Sequence, residues 1–427
     1  GGAKSSAATP TARKHTPAVR AVTELHQAAR GVPSSGFGGA SGAGAAGAAA
    51  AKAVVDVHLG ELTPRQLTLA AWSLARLRQA DWFASTALQQ AFFASVGRFD
   101  PQGVSMLLWS FAALPSQLPG WGASLVARLA LQTEHTLPAS SVQSVANCLW
   151  AVAVLAAPHV RLLQPATAAA LRPGAWDEAS PQACANVLWA LAALSARGSA
   201  PLWERVASVA HPCVGAMRPA ECAAAAWALA VLPARGTPGT PSGRLVRRIA
   251  EAACDHGSTP RLLAGAVWAL ATGLHTASGG AGADDGLWER LAPQACALAR
   301  ECTAQELANI AWAFAAVAST ESLPLRDALA CAAPSKGDDF SNAEISATVW
   351  ALAAARHAEC AWLQHVRAMV VRRASTVPLR GLAALSWSWA TLEGDPAVLR
   401  EHVLPAARAA ARGLAAEAAA RDSSADR

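Results

Sequence analysis

Three glutamine–asparagine pairs, Gln143 with Asn147, Gln182 with Asn186 and Gln305 with Asn309, stand four residues apart. That spacing puts both amides on one face of a helix. An amide both donates and accepts hydrogen bonds, so two side by side can read the edge of a nucleobase. At the corresponding places elsewhere the chain carries Arg65 with Leu69, Gln102 with Met106, Arg261 with Gly265 and Arg380 with Ala384. A guanidinium can pair with a phosphate or stack on a base. The copies differ from one another here, as residues that discriminate would; polar side chains in the first turn of a helix can equally be plain solvated positions. Two further basic clusters are Arg244, Arg247 and Arg248, and Arg367, Arg372, Arg373 and Arg380. Within them Arg247 and Arg373 are candidates for phosphate contact, with solvated helix faces as the alternative.

Nothing in the chain assembles into a catalytic constellation. The acid pairs Asp284–Asp285 and Asp338–Asp339 lie in glycine-containing connectors with no His or Cys at ligand spacing. They read as solvated loop acids, and no metal or other cofactor is expected. The nine cysteines are scattered without a CxxC pair; Cys184 and Cys222 stand where other copies of the motif below carry Leu, Val or Ile. They read as reduced core thiols. The chain is therefore expected not to be an enzyme.

With 53% apolar and 15% charged residues, the 427-residue chain has ample material for a large core. Its mean hydropathy is +0.25, yet runs such as 145–157 and 262–274 are too short to cross a bilayer, so no membrane span is expected. The net charge of +6 is unevenly placed: residues 1–50 hold five basic groups against Glu24 alone, and the remaining 377 hold 30 basic and 28 acidic. The basic character belongs mostly to that leader. Rich in Ala, Gly, Ser and Arg, it reads as a transit-peptide remnant or a linker, bounded at 1–55.

The elements that would position the amides emerge from an internal repeat. Trp72, Trp109, Trp150, Trp189, Trp227, Trp268, Trp312, Trp350 and Trp387 are spaced by 37, 41, 39, 38, 41, 44, 38 and 37 residues, and each is followed three residues on by alanine. Nine residues before the Trp, seven copies carry a helix-capping residue: Thr63, Asp100, Ser141, Ser180, Thr259, Thr303 and Ser341. Thr303 with Glu306 and Ser341 with Glu344 form capping boxes. A second apolar segment follows in most copies, as in 202–217, 286–300 and 361–375. No stretch alternates with period two, so the fold class is all-α: an α-solenoid of about nine two-helix repeats with a period near 38 residues over 61–412, then a polar tail at 413–427. On a helical wheel the positions five, four and one before the Trp and two and three after it share one arc with the Trp at its edge. This predicts that the Trp is a core wedge and the alanine a close-approach site; stacking of the Trp on bases is the disfavoured alternative.

The repeat unit, seen in ELANIAWAFAAV (306–317), EISATVWALAAA (344–355) and SVANCLWAVAVL (144–155), resembles the octotricopeptide and heptatricopeptide repeats from residue 61 to about 405. That resemblance implies a nucleus-encoded protein of the mitochondrion or chloroplast. It would bind single-stranded organellar RNA in a sequence-selective way, alone or with other proteins of a ribonucleoprotein complex, and act in transcript stability, processing or translation. Many relatives end in a small nuclease-like domain, which is not seen after Trp387. The competing expectation is an armadillo-like protein-binding scaffold, or a ribosome or complex assembly factor.

Overall fold

The computed structural model describes residues 16–31, 49, 52–53, 55–114, 120–156, 160–177, 179–195, 200–232, 239–254, 258–276, 286–317, 322–356, 361–392 and 396–425. Among these residues the protein is helical throughout, with no strand. The acids Asp284 and Asp285 and most of the 1–55 leader lie outside them.

The Trp-bearing segments form helices that begin where the caps predict. The side-chain oxygens of Thr63, Asp100, Ser141, Ser180, Thr259, Thr303 and Ser341 each accept the backbone N–H three residues on, at 2.6 to 3.3 Å. Each bond satisfies a donor that the first turn leaves without an intrahelical partner. Glu306 and Glu344 reach back to the N–H groups of Thr303 and Ser341 at 2.8 and 2.6 Å. Two further returns do the same: Gln66 accepts from Thr63 N–H, and Glu221 from Arg218 N–H, both at 2.9 Å.

The chain forms two compact units, residues 1–206 and 207–427. In the first unit the helices Pro64–Arg76, Pro101–Ala112, Val142–Val154 and Pro181–Ala193 pack side by side in chain order. Behind them a second layer contains Thr86–Ser95, Gly120–Thr136 and Val160–Ala170, each packed on the next. In the second unit the row is Pro219–Val231, Pro260–Thr276, Ala304–Ala316, Asn342–Ala354 and Leu379–Thr391, backed by Pro241–Ala252, Leu287–Leu298, Ser322–Ala332 and Ala361–Arg373. Sequential packing of helices against their chain neighbours is the order of a solenoid, in which each helix buries its apolar arc only by lying against the next.

A recurring polar contact closes the helical hairpins. Gln132 donates to the carbonyl of Phe99 at 2.8 Å, Arg172 to that of Ser140, and Arg373 to that of Phe340 at 2.6 Å. In each case a side chain from the end of the second helix meets the carbonyl just before the N-cap of the first. The same register shows at the other helix end, where Arg78, Ala156, Ser195 and Arg356, each six residues after its Trp, have φ of 47° to 58°. The left-handed conformation ends the helix although none of the four is glycine.

Two expectations for the chain ends change. Within the 1–55 leader, Pro17–Arg30 is a helix capped by Thr16, and it packs on Pro64–Arg76 with Ala18, Ala21, Val22, Leu25 and Ala29 buried. Arg76 Nε donates to Ala29 O at 3.1 Å. The low-complexity composition concealed a 14-residue amphipathic segment with Pro at its first position. At the other end, Leu404–Ala425 is helical through most of the expected 413–427 tail. Its alanines favour helix even where the side chains are exposed.

The eight described cysteines are free thiols; Cys148, Cys184, Cys222 and Cys302 are buried. Burial pushes the Cys148 and Cys302 thiols up to about 12 and Cys222 to about 11, so they are packing groups rather than nucleophiles. Among the described residues no helix is long and apolar enough to cross a membrane.

Candidate functional site

The Trp-bearing helices are buried almost all round. In Pro181–Ala193 the residues Ala183, Cys184, Ala185, Val187, Leu188, Ala190, Leu191 and Ala192 are all buried. What remains open is one stripe, seven and three residues before the Trp, the Trp itself, and four after it. At 100° per residue these fall within an arc of about 60°. The first of these positions is exposed in all nine copies and the second half-buried in all nine.

The tryptophans therefore do not lie where the wheel arc put them. Trp72, Trp109, Trp150, Trp189, Trp227, Trp268, Trp312 and Trp350 are half-buried, and Trp387 is 49% exposed. They belong to the stripe. The buried tryptophans are a different set, Trp82, Trp176, Trp203, Trp288, Trp362 and Trp389. The wheel held the signal: the Trp position lies only about 20° from the position seven before it, and about 40° from its nearest buried neighbour, four before it. The alanine expectation fares better, with Ala75, Ala112, Ala192, Ala230, Ala271 and Ala353 buried.

Within each unit the stripes of adjacent helices come together. Trp72 and Trp109 lie 6.2 Å apart between ring centroids, and Trp109 and Trp150 6.3 Å. In the second unit Trp312–Trp350 and Trp350–Trp387 are 6.2 and 6.5 Å apart. Three rings thus stand in a row in each unit, Trp72, Trp109 and Trp150 in the first and Trp312, Trp350 and Trp387 in the second. His26, from the helix in the leader, heads the first row at 5.4 Å from Trp72, and Arg76 covers the same ring at 5.1 Å. Sequence reasoning missed His26 because its helix was read as low complexity. Burial and the nearby Arg30 hold its pKa below the usual imidazole value.

Ten of the twelve residues singled out from sequence lie on the stripe. Arg65, Gln102, Gln143, Gln182, Arg261, Gln305 and Arg380 are exposed, and Asn147, Asn186 and Asn309 half-buried. Across the nine copies the four stripe positions hold no Asp or Glu. The other two candidates are placed elsewhere. Arg247 lies on the second-layer helix Pro241–Ala252 and pairs with Glu251 at 3.3 Å. Arg373 is one of the hairpin-closing side chains and also pairs with Asp338 at 3.0 Å. Its donors serve the fold. Asp338, read as a solvated acid, is held by Arg372 as well, at 2.7 Å.

Between Pro101–Ala112 and Val142–Val154 the stripe opens into a groove of about 450 Å³, lined by Asp100, Pro101, Gln102, Ser105, Met106, Ser140, Ser141, Gln143, Ser144 and Asn147. Four of these, Gln102, Met106, Gln143 and Asn147, are the paired positions of two consecutive copies. Gln143 Nε2 donates to Asn147 Oδ1 at 3.1 Å, and Ser180 Oγ, the cap of the following Trp helix, meets Gln143 Oε1 at 3.1 Å. Among the described residues no group of His, Cys, Asp and Glu is arranged to hold a metal ion. Compared with known proteins, the chain matches no family model and no curated sequence.

Proposed function

We propose that this protein is a sequence-selective single-stranded RNA-binding protein, built from about nine two-helix repeats of period near 38 and acting in organelle gene expression, with no chemistry of its own. The observation that carries the reading is the stripe: within each unit neighbouring helices align amides, arginines and half-buried indoles at positions that hold no Asp or Glu. Single-stranded nucleic acid is bound by that combination, aromatic surfaces for bases with donors and cations for edges and phosphates. The resemblance to octotricopeptide-type repeats supports the same reading and supplies the mitochondrial or chloroplast setting.

One observation favours an armadillo-like protein scaffold as the second reading. The copies around Trp227 and Trp350 present only apolar residues on the stripe: Ala220, Ala224 and Val231, and Ala343, Ala347 and Ala354. Such a surface also suits a peptide.

The test is a titration with random-sequence single-stranded RNA at two salt concentrations, comparing the intact protein with a variant carrying Arg65→Ala, Arg261→Ala and Arg380→Ala. Binding should weaken for all sequences alike, and the salt dependence should flatten by about one unit of slope for each phosphate left without its arginine. Absence of RNA binding by the intact protein at low salt would give the case to the scaffold.

A further inference from the structure

We infer that the groove between Pro101–Ala112 and Val142–Val154 takes a guanine base through its N7 and O6 edge; this rests on the RNA reading above. The argument is one of hydrogen-bond polarity. Ser180 Oγ already accepts the N–H of Ala183 at 3.1 Å, as the cap of its helix. Its hydroxyl donates in turn to Gln143 Oε1 at 3.1 Å. With Oε1 toward Ser180, Gln143 Nε2 donates to Asn147 Oδ1 at 3.1 Å. Asn147 is oriented in turn. Its Oδ1 receives Gln143, and among the described residues Nδ2 has no protein partner.

The chain Ala183, Ser180, Gln143, Asn147 thus ends in donors directed away from the protein network: both N–H bonds of Asn147 Nδ2 and the second N–H of Gln143 Nε2. Both residues line the groove. Guanine offers two adjacent acceptors on one purine edge, N7 and O6, whereas adenine puts an amino group beside N7; cytosine's N3 and O2 are a similar pair on a smaller ring, and selection of cytosine in place of guanine would overturn the assignment. Adenine would set donor against donor. The groove's volume of about 450 Å³ accommodates a purine, and Met106 and Pro101 supply apolar surface to its ring.

The experiment is a binding selection from a random 14-nucleotide RNA pool with the full chain, wild type against Asn147→Asp. The aspartate keeps the oxygen that Gln143 needs and replaces the donors with a second acceptor. The wild-type motif should contain one guanine position. In the variant that position alone should change to adenine or cytosine, and affinity for the wild-type motif should fall about ten- to a hundred-fold. A circular-dichroism melt checks folding. Should the aspartate prevent folding, Asn147→Ala serves, with loss of base preference at that one position expected. An unchanged motif, or a loss spread over every position, overturns the guanine assignment while leaving RNA binding in place. Failure of the wild type to select any RNA removes both.

Discussion

The tryptophans of this protein fall into two populations with opposite burial. Those of the nine-fold motif line an open stripe, where Trp72, Trp109 and Trp150 in the first unit and Trp312, Trp350 and Trp387 in the second stand in rows, whereas Trp82, Trp203 and Trp362 are among the largest fully buried side chains. Trp82 sits in an aromatic cluster, 5.5 Å from Phe83 and 6.3 Å from Phe92, and its indole N–H donates to Asp56. In the second unit Trp288 packs edge-on against Phe314 at 5.0 Å and Trp362 lies 6.0 Å from Phe340. The buried set recurs with no fixed spacing, while the regularly spaced set is at the surface. Regular recurrence in a stacked array marks a position repeated in every helix, and a position can be repeated because it meets its own copy in the next helix without being enclosed.

That contrast predicts unequal costs. Trp82→Ala should open a cavity and destabilise by about 3–5 kcal/mol, whereas Trp150→Ala, which removes a half-exposed ring stacked on Trp109, should cost about 1–2 kcal/mol. Denaturant unfolding of both variants measures the difference; equal costs would erase the distinction between rows and core. Next in size, Ala192→Leu should overpack the buried side of the same kind of helix and cost roughly 1–3 kcal/mol. A melting temperature equal to wild type would show that the alanine three after the Trp is not a close-approach site. The smallest effect concerns the helix end beyond the stripe. Ser195 has φ of 52°, so Ser195→Gly relieves left-handed strain at some cost in unfolded-state entropy, for a gain of up to about 1 kcal/mol. A thermal melt no higher than wild type would contradict the strained geometry.

Much of the local structure was legible because it depends on groups close in sequence. The caps at Thr63, Asp100, Ser141, Ser180, Thr259, Thr303 and Ser341 bond within three residues, and the buried alanines and cysteines follow the 3.6-residue period. The side of the helix on which the Trp would finish was not legible, because it lies at the boundary of the apolar arc and only the neighbouring helix decides whether the boundary is covered. Arg373 is a similar case. Its charge and position suited phosphate, but its use is set by the carbonyl of Phe340, 33 residues away.

The sequence by itself determined the Trp-bearing helices, where seven of them start, which face of each is apolar, and that polar residues vary from copy to copy along one ridge, since these follow from backbone geometry and side-chain periodicity over a dozen residues. Only the tertiary structure decided that helix Pro17–Arg30 joins the first unit, that indoles such as Trp72, Trp109 and Trp150 meet along the open stripe, and that Ser180 meets Gln143 across two helices. Each of these depends on groups from different helices meeting at a few ångströms. Chain periodicity specifies that adjacent helices pack, not how closely a given pair of side chains approaches.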